Sequence, residues 1–134
     1  MLWAPPDSIP QKIGFHLVPR FSMMAFASAI EPLRSANRLA GKALYEWRIF
    51  AESTEPVPAS NGIAVVPERP LSEVERFPAL ILCSGTGTED YFDDRLFGQL
   101  RRLSRRVNSG NQVHLSYGCD VRVSSIGILR RMID

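Results

Sequence analysis

The chain has 134 residues, 45% of them apolar, with 9 Gly and 10 Pro, which is the size of one ordinary globular domain able to bury a core. Its formal charge of +2 comes from interspersed acids and bases, so it builds no strong field for nucleic acid or an anionic membrane. Cys83 and Cys119 are too few for a disulfide framework, and only His16 and His114 could join them as soft ligands, so no metal and no cofactor is expected and a reducing cytoplasm fits.

Residues 1–11 read as a Pro-rich arm. MLWAPPDSIPQK places three prolines and an acid where a signal peptide would need an unbroken apolar stretch. No later segment approaches the roughly 18 apolar residues of a membrane span, which predicts a soluble, unexported chain. KIGFHLV, residues 12–18, is a near-continuous apolar run of strand length, the pattern of a strand covered on both faces. Within it, His16 reads more readily as a buried, satisfied histidine than as a ligand.

Pro19 and Arg20 turn the chain, and Ser22 can cap a helix that carries Met23, Phe26, Ala27, Ile30, Leu33 and Asn37 at helical spacing and stops at Gly41. That helix holds Glu31-Pro32 near its middle. A proline there removes the bond to the Ser28 carbonyl, a defect of about 3 kcal/mol in an ordinary helix interior. One reading is a kinked packing helix; the other is that Glu31, Arg34 and Asn37, three apart on one face, are held for an interface or a pocket.

A second strand is predicted at about 45–51, then a Pro/Ser/Asn-rich loop, then a short strand through Ile63–Val66 forming a hairpin or an edge. FPALILCSG, residues 77–85, is the clearest buried strand. The loop CSGTGTED after it superficially resembles a phosphate cradle, but it lacks the Lys of a P-loop and the third Gly of a dinucleotide fingerprint. Glu89, Asp90, Asp93 and Asp94 would also repel phosphate, so a tight turn at a pocket rim is the better reading.

From Asp93 a helix is predicted with Leu96, Phe97, Leu100, Leu103 and Val107 on one face, and its RRLSRR segment reads as a solvated face whose bases complement the helix dipole. QVHLS beyond Gly110 reads as another strand. Cys119 is the obvious nucleophile candidate, but His114 lies an odd number of residues away and Asp120 would oppose thiolate formation, so no catalytic residue is assigned.

Strand, helix, strand, strand, helix, strand is the grammar of a parallel sheet between helical layers. Ligands gather beyond the carboxyl ends of such strands. That rule puts the candidate ligand site at Phe21, Ser22, Ser84, Gly85 and Thr86.

The run from Ile13 to Phe50 resembles the start of the DJ-1/PfpI-like sensor domain of a subgroup of AraC-family transcriptional regulators. Its helix follows their pattern P-x-F-S-M-x-A-F-x-S-A-x-E-P-L-R-x-A-N-R-L from Pro19 to Leu39. The likeness extends through LYEWRI, ASNGIAV and ALILCSG, covering about residues 12–113. It implies an α/β, flavodoxin-like three-layer sandwich with a mostly parallel sheet, incomplete at the C-terminus. It also implies a non-catalytic sensor for a small amine or amino-acid-like effector such as arginine, glycine betaine or carnitine. A homodimer is compatible with it, and DNA would be contacted only through a C-terminal helix-turn-helix domain absent from this chain.

Two departures qualify the resemblance. Enzymes of the wider superfamily place a carboxylate soon after the first strand, where this chain has Ser22, Met23, Met24 and Ala25. The family also expects a Thr-Gly-Ala elbow after its late strand, where this chain reads SYGCDVRVSSIGILRRMID. Tyr-Gly-Cys-Asp can be encoded TAC GGG TGC GAT, and reading one base later gives Thr-Gly-Ala. The expected organisation is therefore an arm at 1–11, a partial sensor domain at 12–116 and an aberrant, frameshifted tail at 117–134. The alternative is a stand-alone DJ-1/PfpI-like enzyme using Cys119 as nucleophile.

Overall fold

A computed structural model of the chain describes residues 10–74, 79–85, 87, 91–104 and 112–116. The Pro-rich arm up to residue 9, Thr86, the acids Glu89 and Asp90, Arg105 to Val107, and the whole tail with Cys119 lie outside the described residues.

The first strand, β1 (Gln11–Leu17), is followed by helix α1 (Met23–Ala40) and strand β2 (Tyr45–Ala51). A short hairpin of two-residue strands, β3 (Val57–Pro58) with β4 (Ala64–Val65), stands outside the main sheet. Next come a short edge strand β5 (Arg69–Pro70), a 3-10 turn at Leu71–Glu73, strand β6 (Ala79–Cys83), helix α2 (Asp94–Ser104) and strand β7 (Gln112–Ser116). The sheet order is β5-β2-β1-β6-β7, and every pairing in it is parallel.

The chain moves outward from β1 in one direction through α1 to β2 and in the other through α2 to β7. Right-handed crossovers made in opposite directions put their helices on opposite faces. The core divides accordingly. Ile13, Phe15, Leu17, Ile49, Ala51, Ile81 and Cys83 pack with Phe21 and Phe26 on the α1 side. Val18, Phe50, Leu80 and Leu82 pack with Leu71, Phe92, Leu96, Phe97, Leu100 and Leu103 on the α2 side. This two-sided burial explains why β1 and β6 read as continuous apolar runs rather than alternating ones.

Helix α1 begins where expected: the Ser22 hydroxyl accepts from the Ala25 N–H at 3.2 Å, and Gly41, at φ 68°, closes the far end with its N–H on the Arg38 carbonyl. The helix is assigned unbroken through Pro32. Ser28 and Pro32 are both exposed, so the carbonyl that Pro32 leaves without its partner sits where water can reach it. Glu31 and Arg34 form an exposed pair, Arg34 Nε donating to Glu31 Oε2 at 2.7 Å, which raises the Arg34 pKa through that bond and the adjacent charge.

Asn37 serves the fold. Its Oδ1 accepts from the Leu44 and Tyr45 N–H groups at 2.9 Å each, and its Nδ2 donates to the Tyr45 carbonyl at 2.9 Å. These bonds fasten the end of α1 to the start of β2.

Candidate functional site

The carboxyl ends of β1 and β6 meet at the topological switch point, because the chain leaves β1 toward β2 on one side and returns beside it as β6 on the other. Here the structure brings Phe21, Ser22, Ser84 and Gly85 together as a closed junction. The Ser22 N–H donates to the Ser84 carbonyl at 3.1 Å, and the Val18 N–H to the Cys83 carbonyl at 3.1 Å. Gly85 is pressed so closely on the preceding turn that a Cβ there would lie 2.7 Å from the Arg20 carbonyl oxygen. Arg20 itself adopts a left-handed conformation at φ 70°, with its N–H on the Pro58 carbonyl at 2.7 Å, and its guanidinium lies beside Gly87.

Two side chains at this junction are already engaged. Phe21 is fully buried, its ring edge-on to Phe26, so it offers packing rather than an open aromatic face. The Ser22 hydroxyl is the cap of α1. No carboxylate occurs between Arg20 and Ala25, and Ser84 is buried.

Open space lies on the other side of β1. A cavity of about 40 Å³ sits between the ends of β1 and β2 and the first turns of α2, lined by His16, Leu17, Val18, Pro19, Glu52, Tyr91, Asp93, Arg95, Leu96 and Gln99. Asp93 caps α2, its Oδ1 accepting from the Leu96 N–H at 2.9 Å. Arg95 approaches Glu52 at 3.9 Å, with both side chains mostly exposed.

His16 is 3% exposed, as a buried histidine should be, but its Nδ1 has no hydrogen-bond partner, which corrects the expectation that it would be satisfied. The sequence offered no sign of this cavity, since residues 16, 52, 93 and 99 are joined only by the crossing of strand ends and helix. Among the described residues no His, Cys, Asp and Glu cluster gathers as a metal-ligand set, and no helix is long and apolar enough to cross a membrane.

Burial holds the His16 imidazole neutral, with its pKa pushed down to about 4 by desolvation. An unfolded histidine takes its proton near pH 6.5, whereas the native one resists until about 4. Stability from this group is therefore complete above about pH 6.5 and is lost as the pH falls through that window, by at most roughly 3 kcal/mol. Urea midpoints followed between about pH 7 and about pH 4 should fall more steeply for the native protein than for His16→Phe; parallel curves would contradict the assignment.

The chain is 36% identical over 85 residues to the HTH-type transcriptional regulator GbdR of Pseudomonas aeruginosa, a match spanning 63% of this chain and 23% of the relative. It is 42% identical over 96 residues to the HTH-type transcriptional regulator GlxA of Rhizobium meliloti, spanning 71% and 30%. Among solved structures, an AraC family transcriptional regulator from Pseudomonas putida superposes with a TM-score of 0.65 at 20% identity, covering 79% of this chain and 55% of that one. The chain is homologous to AraC-type transcriptional regulators. Its fold is that of the DJ-1/PfpI group: structures of a DJ-1 superfamily protein from Agrobacterium tumefaciens and a ThiJ/PfpI domain protein from Brachyspira murdochii match at TM-scores of 0.58 and 0.61. No family model matches the chain. The matched stretch spans less than a third of the AraC-type relatives' own length.

Proposed function

We propose that this chain forms a non-catalytic, small-molecule-sensing domain of an AraC-type transcriptional regulator, acting in the cytoplasm, with an amine or amino-acid-like effector. The observation that carries the reading is the state of Ser22. In an enzyme of this fold the turn after β1 would supply a carboxylate, whereas here its one hydroxyl caps α1 and the turn contains no acid. Homology to HTH-type regulators supports the same conclusion, with DNA contact assigned to a C-terminal helix-turn-helix domain.

The junction of Phe21, Ser22, Ser84, Gly85 and Thr86 is the proposed effector-sensitive element. Because its two loops are bonded backbone to backbone, a ligand at this edge would have to part them or tighten them, which is what a sensor requires. Glu31 and Arg34, exposed on α1, are proposed for an interface with a second copy or with the rest of the regulator.

Calorimetry with arginine, glycine betaine, carnitine and simple primary amines tests the reading. One of them should bind stoichiometrically and raise the unfolding temperature, since anything that binds only the folded state stabilises it. Absence of binding across the whole set would refute the effector class.

A further inference from the structure

From the outward face of α1, we infer that two copies of this chain associate about a two-fold axis with their α1 helices packed antiparallel. The helix turns Phe26, its one buried residue, toward the sheet. At about 100° per residue, Met24, Ser28, Glu31, Ser35 and Leu39 fall on the opposite side as a stripe running the length of the helix. The outward side of a helix packed on a sheet is ordinarily polar. Here Met24 is 65% and Leu39 82% exposed, one at each end of the stripe.

The stripe is complementary to itself. A two-fold contact requires each residue to meet a partner residue equally far from the axis. With the axis between Glu31 and Pro32, Met24 meets the partner's Leu39 and Ser28 meets the partner's Ser35, and each contact occurs twice. The polar groups at the centre match as well. Pro32 leaves the carbonyl of exposed Ser28 without its helical donor, and the hydroxyl of the partner's Ser35 can supply one. Glu31 and Arg34, already bonded at 2.7 Å, lie on one flank close to the axis. The two-fold brings each Glu31 within reach of the partner's Arg34, so four charges alternate in a closed ring with no net charge. That charge match favours a second copy over an unrelated partner.

The inference rests on the interface reading of Glu31 and Arg34 given above and names its partner; it does not depend on the effector. A single pair of helix faces about 22 Å long buries less than the roughly 1,600 Å² of a standard interface, so the dimer is weak, with a Kd on the order of 100 μM. Sedimentation of the whole chain as its Cys119→Ser variant, from about 10 to about 500 μM, should show a reversible equilibrium between monomer and dimer. Leu39→Glu should raise the Kd more than about tenfold, and Ser35→Ala about tenfold through the two symmetric hydrogen bonds. Leu39 is mostly exposed, so the urea midpoint of Leu39→Glu should stay close to that of the native protein.

Disulfide trapping reads the register. In the same Cys119→Ser background the remaining Cys83 is buried. Met24→Cys and Leu39→Cys proteins oxidised separately should cross-link only slowly, because like positions lie about 22 Å apart across the axis. Mixed together, they should cross-link at least about tenfold faster, position 24 to position 39. A chain that stays monomeric at every concentration, association untouched by Leu39→Glu, or equal cross-linking in mixed and separate samples would each overturn the inference. Effector binding by such a monomer would leave the sensor reading standing and remove only this interface. The predicted cross-link in a chain that binds none of the effectors would do the reverse.

Discussion

Phe21→Ala is expected to destabilise the protein by about 3–5 kcal/mol, the range for removing a fully buried phenyl ring. The ring is wholly excluded from solvent and stands edge-on to Phe26 at a centroid distance of 5.8 Å; Phe26 in turn meets Phe15 at 5.6 Å, also edge-to-face. These three rings join the turn after β1, the first turns of α1 and the strand itself. The backbone around Phe21 is pinned as well: its N–H donates to the Val18 carbonyl and its carbonyl accepts from the Ser60 N–H at 2.9 Å. A cavity left there cannot close without moving those contacts. Urea unfolding should show the midpoint falling with little change in slope, whereas Met24→Ala, two-thirds exposed on α1, should stay within about 0.5 kcal/mol of the native protein. A Phe21→Ala protein as stable as the native one would place the ring outside the core.

Gly85→Val carries the second large penalty, about 3 kcal/mol, at the upper end of the overpacking range. The added Cβ would lie 2.7 Å from the Arg20 carbonyl oxygen, 3.0 Å from the Ser22 nitrogen and 3.3 Å from the Phe21 carbonyl carbon. All three are backbone atoms, so no side-chain rotation relieves the clash. The junction must open, and the bonds from Ser22 to Ser84 and from Val18 to Cys83 are the first to go. Gly98 is the contrast. It sits in α2 with nothing within 4 Å of its added Cβ, so Gly98→Ala should stabilise by about 0.5–1 kcal/mol through helix propensity alone. Equal effects at the two glycines would mean that the β1–β6 edge is loose.

Much of this architecture was legible because it is local. The Ser22 cap, the Gly41 stop and the bounds of β2 follow from residue types at fixed spacing, and the continuous apolar runs of β1 and β6 follow from burial on both faces. What was illegible depends on chain segments that meet only in the fold. β5 is two residues long and contains a proline, a pattern tolerated at a sheet edge but carrying no strand signal. Asn37 was grouped with Glu31 and Arg34 by helical spacing, yet its amide faces β2 while theirs is a solvent pair. Phe21 looked available for a ligand because it follows a strand end, and only the arrival of Phe26 and Ala59 explains its burial. The cavity at His16 needed β2 and α2 to be placed before it existed.

The central claim is that this fold senses rather than catalyses, and the direct measurement is turnover of methylglyoxal by the purified chain beside its Cys119→Ser variant. The account predicts no thiol-dependent turnover in either, because the turn after β1 contributes no carboxylate to activate a nucleophile. Turnover by the native chain that disappears in Cys119→Ser would contradict it and restore the enzyme.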